Sequence, residues 1–179
     1  PRVPTGVVVP HAAAAVLERR APLTVVRAPS GSGKSAVVAR WVHDGAVAGS
    51  VVWLSAHDGD PLPQLADAVS VSGGGRAALV RELTERGEVT VVVDDLHEAD
   101  PGVDDELLDL VARAPRLHLV VLTRERRPIE VRGLVVADAA VVGAPILEEV
   151  VFRGLIYGNF KKVMTTWFAL LAQAGLFGL

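Results

Sequence analysis

Two short stretches of this chain place residues of the right types at spacings that can do chemistry. The first is "APSGSGKS", residues 28–35, and the second is "VTVVVDD", residues 89–95. The first follows an apolar run and opens a helical pattern, the setting in which such a loop binds phosphate. Gly31 and Gly33 allow the backbone to curl, so that the N–H groups of Ser30, Gly31, Ser32 and Gly33 converge on phosphate oxygens. The helix that follows adds the positive end of its dipole. Lys34 is placed to reach the outer phosphates, and the Ser35 hydroxyl is a ligand for Mg²⁺. The strict form of the loop starts with Gly where this chain has Ala28, a methyl that fits if the backbone angle there is negative. Lys34 is also the single lysine before residue 145, against 14 arginines. A point-charge phosphate ligand of this kind is not freely exchanged for the fork of an arginine.

In the second stretch an apolar run ends in two carboxylates. Asp94 is placed to hold the Mg²⁺ opposite the loop, through water, and Asp95 to polarise an attacking water. The alternative for both acids is capping of a helix that starts near Pro101. A third run, "LHLVVLTRER", supplies Thr123 and Arg124 at its end, where a polar group can sense the terminal phosphate; the other reading is a solvated charge cluster with Arg126 and Arg127. The five histidines (11, 43, 57, 97 and 118) show no metal-ligand spacing, and of these only His97 is close enough in sequence to the carboxylates to touch the site.

These residues need elements to position them. Strand signals at 23–28, 50–55, 89–95, 116–124 and 129–136 alternate with helical spacing at 35–44, 61–70, 76–86 and 103–114. Acidic residues at the start of the last helix favour its dipole. Continuous apolar strands separated by helices predict an α/β fold with a mostly parallel sheet covered on both faces.

Composition bounds the rest. The chain has 179 residues and a formal charge of −3, which offers no electrostatic case for direct nucleic-acid binding. Without cysteine there is no disulfide and no thiolate-bound metal. The sequence lacks an initiator Met and a secretion-signal pattern and reads as a piece of something larger. Its character changes near residue 144: every Phe and the only Tyr, Asn and Met follow that point, with two of the three lysines. Two coding origins joined there explain the swap of Arg for Lys. A soluble domain running into a membrane segment is the other reading. The expected organisation is a nucleotide-binding domain over 1–143 and an apolar helical tail over 144–179.

The stretches "LTVVRAPSGSGKSAVVARWV", "VVWLSAHDGDP", "VVVDDLHEAD" and "LHLVVLTRERRP" resemble, in order and spacing, the signal-transduction ATPases with numerous domains. The branch they look like is the maltose-type transcriptional activators, over roughly residues 7–142. That resemblance implies a P-loop NTPase three-layer sandwich with strand order 5-1-4-3-2, ATP rather than GTP, and slow hydrolysis serving a switch. It implies that Val9 and Pro10 lie near the base. On this reading Ser30, Gly31, Ser32, Gly33, Lys34, Ser35, Asp94 and Arg124 bind Mg²⁺–ATP, with Asp95 the catalytic carboxylate that polarises water, in an aqueous, cytoplasmic setting.

The stretch "APILEEVVFRGLIYGNF" resembles the first motif of the CAAX-type intramembrane metalloproteases, matching at Glu148, Glu149 and Arg153. In that family a glutamate activates water, and histidines from later helices complete the metal site. No histidine follows His118 here, and two adjacent carboxylates do not make a hydrolytic metal site alone. Glu149 and Arg153 also suit a plain i,i+4 helix pair. Residues 163–179 carry no charge; they are expected to associate with detergent, a membrane or one another.

Overall fold

The computed structural model describes residues 9, 11–45, 47, 49–71, 73, 75–131 and 135–137, without the side chains of 11, 12, 130, 131 and 135–137. The chain partitions into two units, Pro1–Gly143 and Ala144–Leu179, and all the described residues belong to the first. The predicted tail, with Glu148, Glu149 and Arg153, lies outside the described residues.

Five strands, β1 (Leu23–Arg27), β2 (Ser50–Ser55), β3 (Val89–Asp94), β4 (Leu117–Thr123) and β5 (Val135–Ala137), form one sheet in the order β2-β3-β4-β1-β5. Every pairing is parallel. Read from its other edge, the order is the 5-1-4-3-2 that the sequence resemblance implies, and the fold is α/β of the P-loop NTPase type. Among the described residues five α-helices accompany it: α1 (His11–Glu18), α2 (Lys34–His43), α3 (Pro61–Ala68), α4 (Gly75–Glu85) and α5 (Val103–Arg113).

The central strands β3 and β4 are buried along nearly their whole length, as continuous apolar runs require. On one face Leu23, Val25, Val91, Leu119 and Val121 pack with Leu65 of α3, Leu79 and Leu83 of α4, and Leu107 and Leu110 of α5. On the other, Trp41 of α2 meets the His118 ring edge-on, with centroids 6.1 Å apart. The His118 Nε2 lies 3.2 Å from the Thr24 hydroxyl. α3 starts where Asp60 accepts the Leu62 N–H at 3.0 Å, with proline in its first turn.

Two expectations change. The predicted strand over 129–136 is first a single 3₁₀ turn, Pro128–Val131, and only then the short β5. Pro128 fixes its φ and has no N–H for a ladder, and Ile129 is driven into the core beside α5. Arg127 is not part of a solvated cluster. Its Nε and Nη2 donate to Asp104 Oδ1 at 2.9 and 2.7 Å, and its Nη1 donates to the Ala99 carbonyl at 3.1 Å. Asp104 and Arg127 are 1% and 10% exposed, so this buried pair ties the chain after β4 to the start of α5.

Burial, followed by the charge of Arg20, lowers the His118 pKa from 6.5 to about 4. The folded state therefore keeps this ring neutral where the unfolded chain protonates it. Its contribution is fully present above pH 6.5 and is lost as pH falls toward 4. In urea unfolding, the parent should lose up to about 1.4 kcal/mol more per pH unit across that window than His118→Gln. Parallel pH profiles for the two proteins would refute this.

Candidate functional site

The site is set by strand register. In the sheet Arg27 pairs with Thr123 and Val93 with Val121, so the ends of β1, β3 and β4 lie nearly level. β4 separates the other two, which puts the chain leaving β1 about 10 Å from the end of β3 across two strand spacings. The Ala28 N–H donates to the Thr123 carbonyl at 3.2 Å, extending the β1–β4 ladder by one bond into the loop. Ala28 is buried and is not among the positive-φ residues, so its methyl is accommodated. Gly31 and Gly33 have φ of 74° and 84°, the left-handed region that the curl demands.

Gly33 then caps α2, whose first residue is Lys34. The lysine is only 6% exposed. Its Nζ donates to the carbonyls of Ala28 at 2.9 Å and Pro29 at 3.0 Å, which pins the helix start to the loop start. An ammonium has three N–H donors, so one is left for an incoming oxygen. Burial lowers its pKa, and the positive charge of Arg124 lowers it further. Within the loop the Ser32 Oγ is buried and has no hydrogen-bond partner among the described residues. A buried hydroxyl left unpaired is costly, and an anion oxygen in the loop would satisfy it. Ser30 is exposed at the rim.

Across β4, Asp94 ends β3 with the Ser35 hydroxyl near enough to favour its charged form. Burial raises the Asp94 pKa, and the Ser35 hydroxyl opposes that shift. One carboxylate and one hydroxyl facing each other fit Mg²⁺, which takes few protein oxygens and completes its shell with water and phosphate. They do not fit a metal held by protein alone: among the described residues no three His, Cys, Asp or Glu side chains gather as a metal cage.

Asp95 does not cap the helix near Pro101, since Gly102 holds that position for α5. Its backbone is left-handed, with φ 54°, and its N–H donates to Asp94 Oδ1 at 3.0 Å. The Asp95 Oδ1 lies 3.7 Å from Arg124 Nη2, which brings both predicted residues to the same edge. Thr123 is different. It is fully buried, its hydroxyl donates to the Glu125 carbonyl at 3.1 Å and accepts the Glu125 N–H at 3.2 Å. It therefore closes the turn that presents Arg124 and is not turned toward a phosphate. Of the two candidate base contacts, Val9 is half-buried and Pro10 lies outside the described residues.

Sequence reasoning did not anticipate that His57 Nδ1 sits 2.7 Å from Glu98 Oε2. Nothing in local spacing signals that contact, because it depends on how the ends of β2 and β3 adjoin. His97, singled out by its closeness in sequence to the carboxylates, does lie beside them, its Nδ1 3.9 Å from Asp95 Oδ1. A cleft of 410 Å³ lined by Leu62, Ala66, Leu79 and Glu106 includes none of the loop or carboxylate residues. That cleft is therefore separate from the loop and carboxylates singled out by the sequence. Among the described residues no helix is long and apolar enough to cross a membrane.

A family model described as type II CAAX prenyl endopeptidase Rce1-like matches residues 131–179, a stretch that begins ahead of the compositional change and includes β5. No curated protein matches the chain. Among solved structures, domain III of the Thermotoga maritima replication initiation protein DnaA aligns at 15% identity and a TM-score of 0.48, over 71% of this chain and 59% of that one. The Drosophila ORC bound to DNA aligns at 13% identity and a TM-score of 0.47, over 62% of this chain and 71% of that one. C. elegans PCH-2 aligns at 14% identity and a TM-score of 0.43, over 70% of this chain and 39% of that one.

Thr123 and Arg124 separate cleanly by experiment. Thr123→Val should destabilise the nucleotide-free protein by about 1–3 kcal/mol, because the Glu125 N–H loses its acceptor. Arg124→Ala, at a half-exposed position, should change stability by less than about 0.5 kcal/mol. Urea denaturation checks both, and equal effects would overturn the assignment of Thr123 to the turn.

Proposed function

We propose that the first unit binds Mg²⁺–ATP as the nucleotide-binding domain of a signalling or regulatory ATPase, with slow hydrolysis or none. The observation that carries this reading is the Lys34–loop–Asp94 arrangement. A buried ammonium is fixed by two loop carbonyls, and one step along α2 a hydroxyl lies close enough to the carboxylate that would hold the metal to favour its charged form. The N–H groups of Ser30 to Gly33 and the spare Lys34 N–H bind phosphate oxygens. Ser32 Oγ gains a partner in the process. Ser35 and Asp94 hold Mg²⁺, which neutralises charge on the outer phosphates. Arg124 engages the terminal phosphate from the far side, and Asp95 accepts a proton from the attacking water. The signalling role is supported by the sequence resemblance to the multidomain signal-transduction ATPases, whose signals are read by domains other than this one. In such a protein this unit would work in the cytoplasm and contact nucleotide without touching nucleic acid itself.

The match over residues 131–179 favours a second reading for that stretch: a piece related to membrane-embedded CAAX-type proteases, associating with a bilayer or with another copy through 163–179. Glu148 and Glu149 would be its catalytic carboxylates. With no histidine after His118 in the sequence, no metal-bound water is provided for there, and peptidase activity is not expected of this chain.

Calorimetric titration of Mg²⁺–ATP into the folded chain tests the first reading. The parent should bind, and Lys34→Ala should weaken binding by at least about tenfold, the loss of one charge-assisted hydrogen-bond set. An unchanged Kd would remove Lys34 from the site, and no binding by the parent would refute the assignment. Zinc-dependent peptidase activity that disappears in Glu148→Ala would instead establish the second reading as a working enzyme.

A further inference from the structure

Beside the proposed site sits a buried ring that the ATP-binding reading does not use. The His97 side chain is 9% exposed, and its Nδ1 has no hydrogen-bond partner among the described residues. A buried ring nitrogen left unpaired is costly, so such groups persist where a partner arrives in another state. The candidate partner is adjacent: Nδ1 lies 3.9 Å from Asp95 Oδ1. Its Nε2 lies 3.8 Å from Glu98 Oε1, and His57 Nδ1 lies 2.7 Å from the other oxygen of Glu98. The backbone supports the same arrangement. Glu98 N–H donates to the Asp95 carbonyl at 2.9 Å, closing the tight turn Leu96–Glu98 so that His97 stands over Asp95. Leu96 is fully buried and anchors that turn.

The Asp95 carboxylate is held loosely by comparison. Its backbone is fixed in the left-handed region, a strained geometry for a residue with a side chain. Its Oδ1, however, sits between Arg124 at 3.7 Å and His97 at 3.9 Å, too far from either for a hydrogen bond. A shift of about 1 Å toward the ring makes the His97 bond and loosens the pair with Arg124.

We propose that His97 is the positioning residue for Asp95: its Nδ1–H takes up the carboxylate when Arg124 turns to the terminal phosphate. This rests on the ATP-binding reading above. The carboxylate is then held in one orientation as it receives the water proton. In that step the water oxygen bonds to the terminal phosphorus and the bond from phosphorus to the bridging oxygen breaks, leaving ADP and inorganic phosphate. His97 touches no reacting atom and acts only through Asp95.

Two amides distinguish the ring nitrogens, since an asparagine places its NH₂ near the Nδ1 position and a glutamine near Nε2. The full chain carrying His97→Asn, His97→Gln or His97→Ala is compared with the parent by Mg²⁺–ATP calorimetry and by single-turnover release of inorganic phosphate. We expect His97→Ala and His97→Gln to hydrolyse about 10–100-fold more slowly, with Kd within about twofold, and His97→Asn to recover most of the rate. Equal rates for Asn and Gln, recovery by Gln alone, a Kd that shifts with the rate, or full activity in His97→Ala would each overturn the proposal. Binding without turnover in the parent overturns this inference alone and leaves the nucleotide site standing. No binding in the parent overturns both.

Discussion

The arrangement depends on one hydrogen bond at the end of a ladder. The Ala28 N–H donates to Thr123, continuing the β1–β4 pairing by a single rung into the loop. Because β1, β4 and β3 run parallel in fixed register, that bond sets the height at which the chain leaves the sheet. Lys34 then returns to the carbonyls of Ala28 and Pro29, so the start of α2 cannot drift from the start of the loop. A slip of one residue would turn every buried side chain of the strand to the other face. The apolar runs on both faces of β3 and β4 therefore protect the site as well as the core.

Charge is distributed around that frame so that no group is fully at rest. Lys34 and Asp94 are both buried enough for their charged forms to be disfavoured, the lysine pKa falling and the aspartate rising. Asp94 leans on the Ser35 hydroxyl, and Asp95 stands between two nitrogens without bonding either. Ser32 Oγ and His97 Nδ1 have no partners among the described residues. A third such atom, Trp41 Nε1, belongs to the core, where its ring packs against His118; the other two stand beside the loop and the carboxylates, where incoming polar partners would satisfy them. The Asp104–Arg127 pair is the contrast: buried, closely bonded and fixed, it holds a loop without entering the chemistry.

The curled loop and the strand ending in two carboxylates were legible because their local geometry follows from residue types at fixed spacing along the chain. Glycines at 31 and 33 announce positive φ, and a lysine at the next position marks the helix start. The strand order was legible only through the family resemblance, since apolar runs say that strands are buried and not which strand is their neighbour. Thr123 was misread because a hydroxyl at a strand end looks the same whether it closes a turn or faces a ligand. Arg127 was misread because three arginines within four residues look alike, and only the position of Asp104, 23 residues earlier, buries one of them.

The sequence by itself determined the local chemistry: a curled loop, a helix start bearing Lys34 and Ser35, an apolar strand ending in Asp94 and Asp95, and a change of character near residue 144. Each follows from backbone sterics or side-chain type within a few residues. Only the tertiary structure decided which of these meet. Bringing Ser35 to Asp94, Arg124 to Asp95 and His57 to Glu98 requires separate strands to end level in one parallel sheet. That alignment is set by packing across the whole core, which no single stretch of chain encodes.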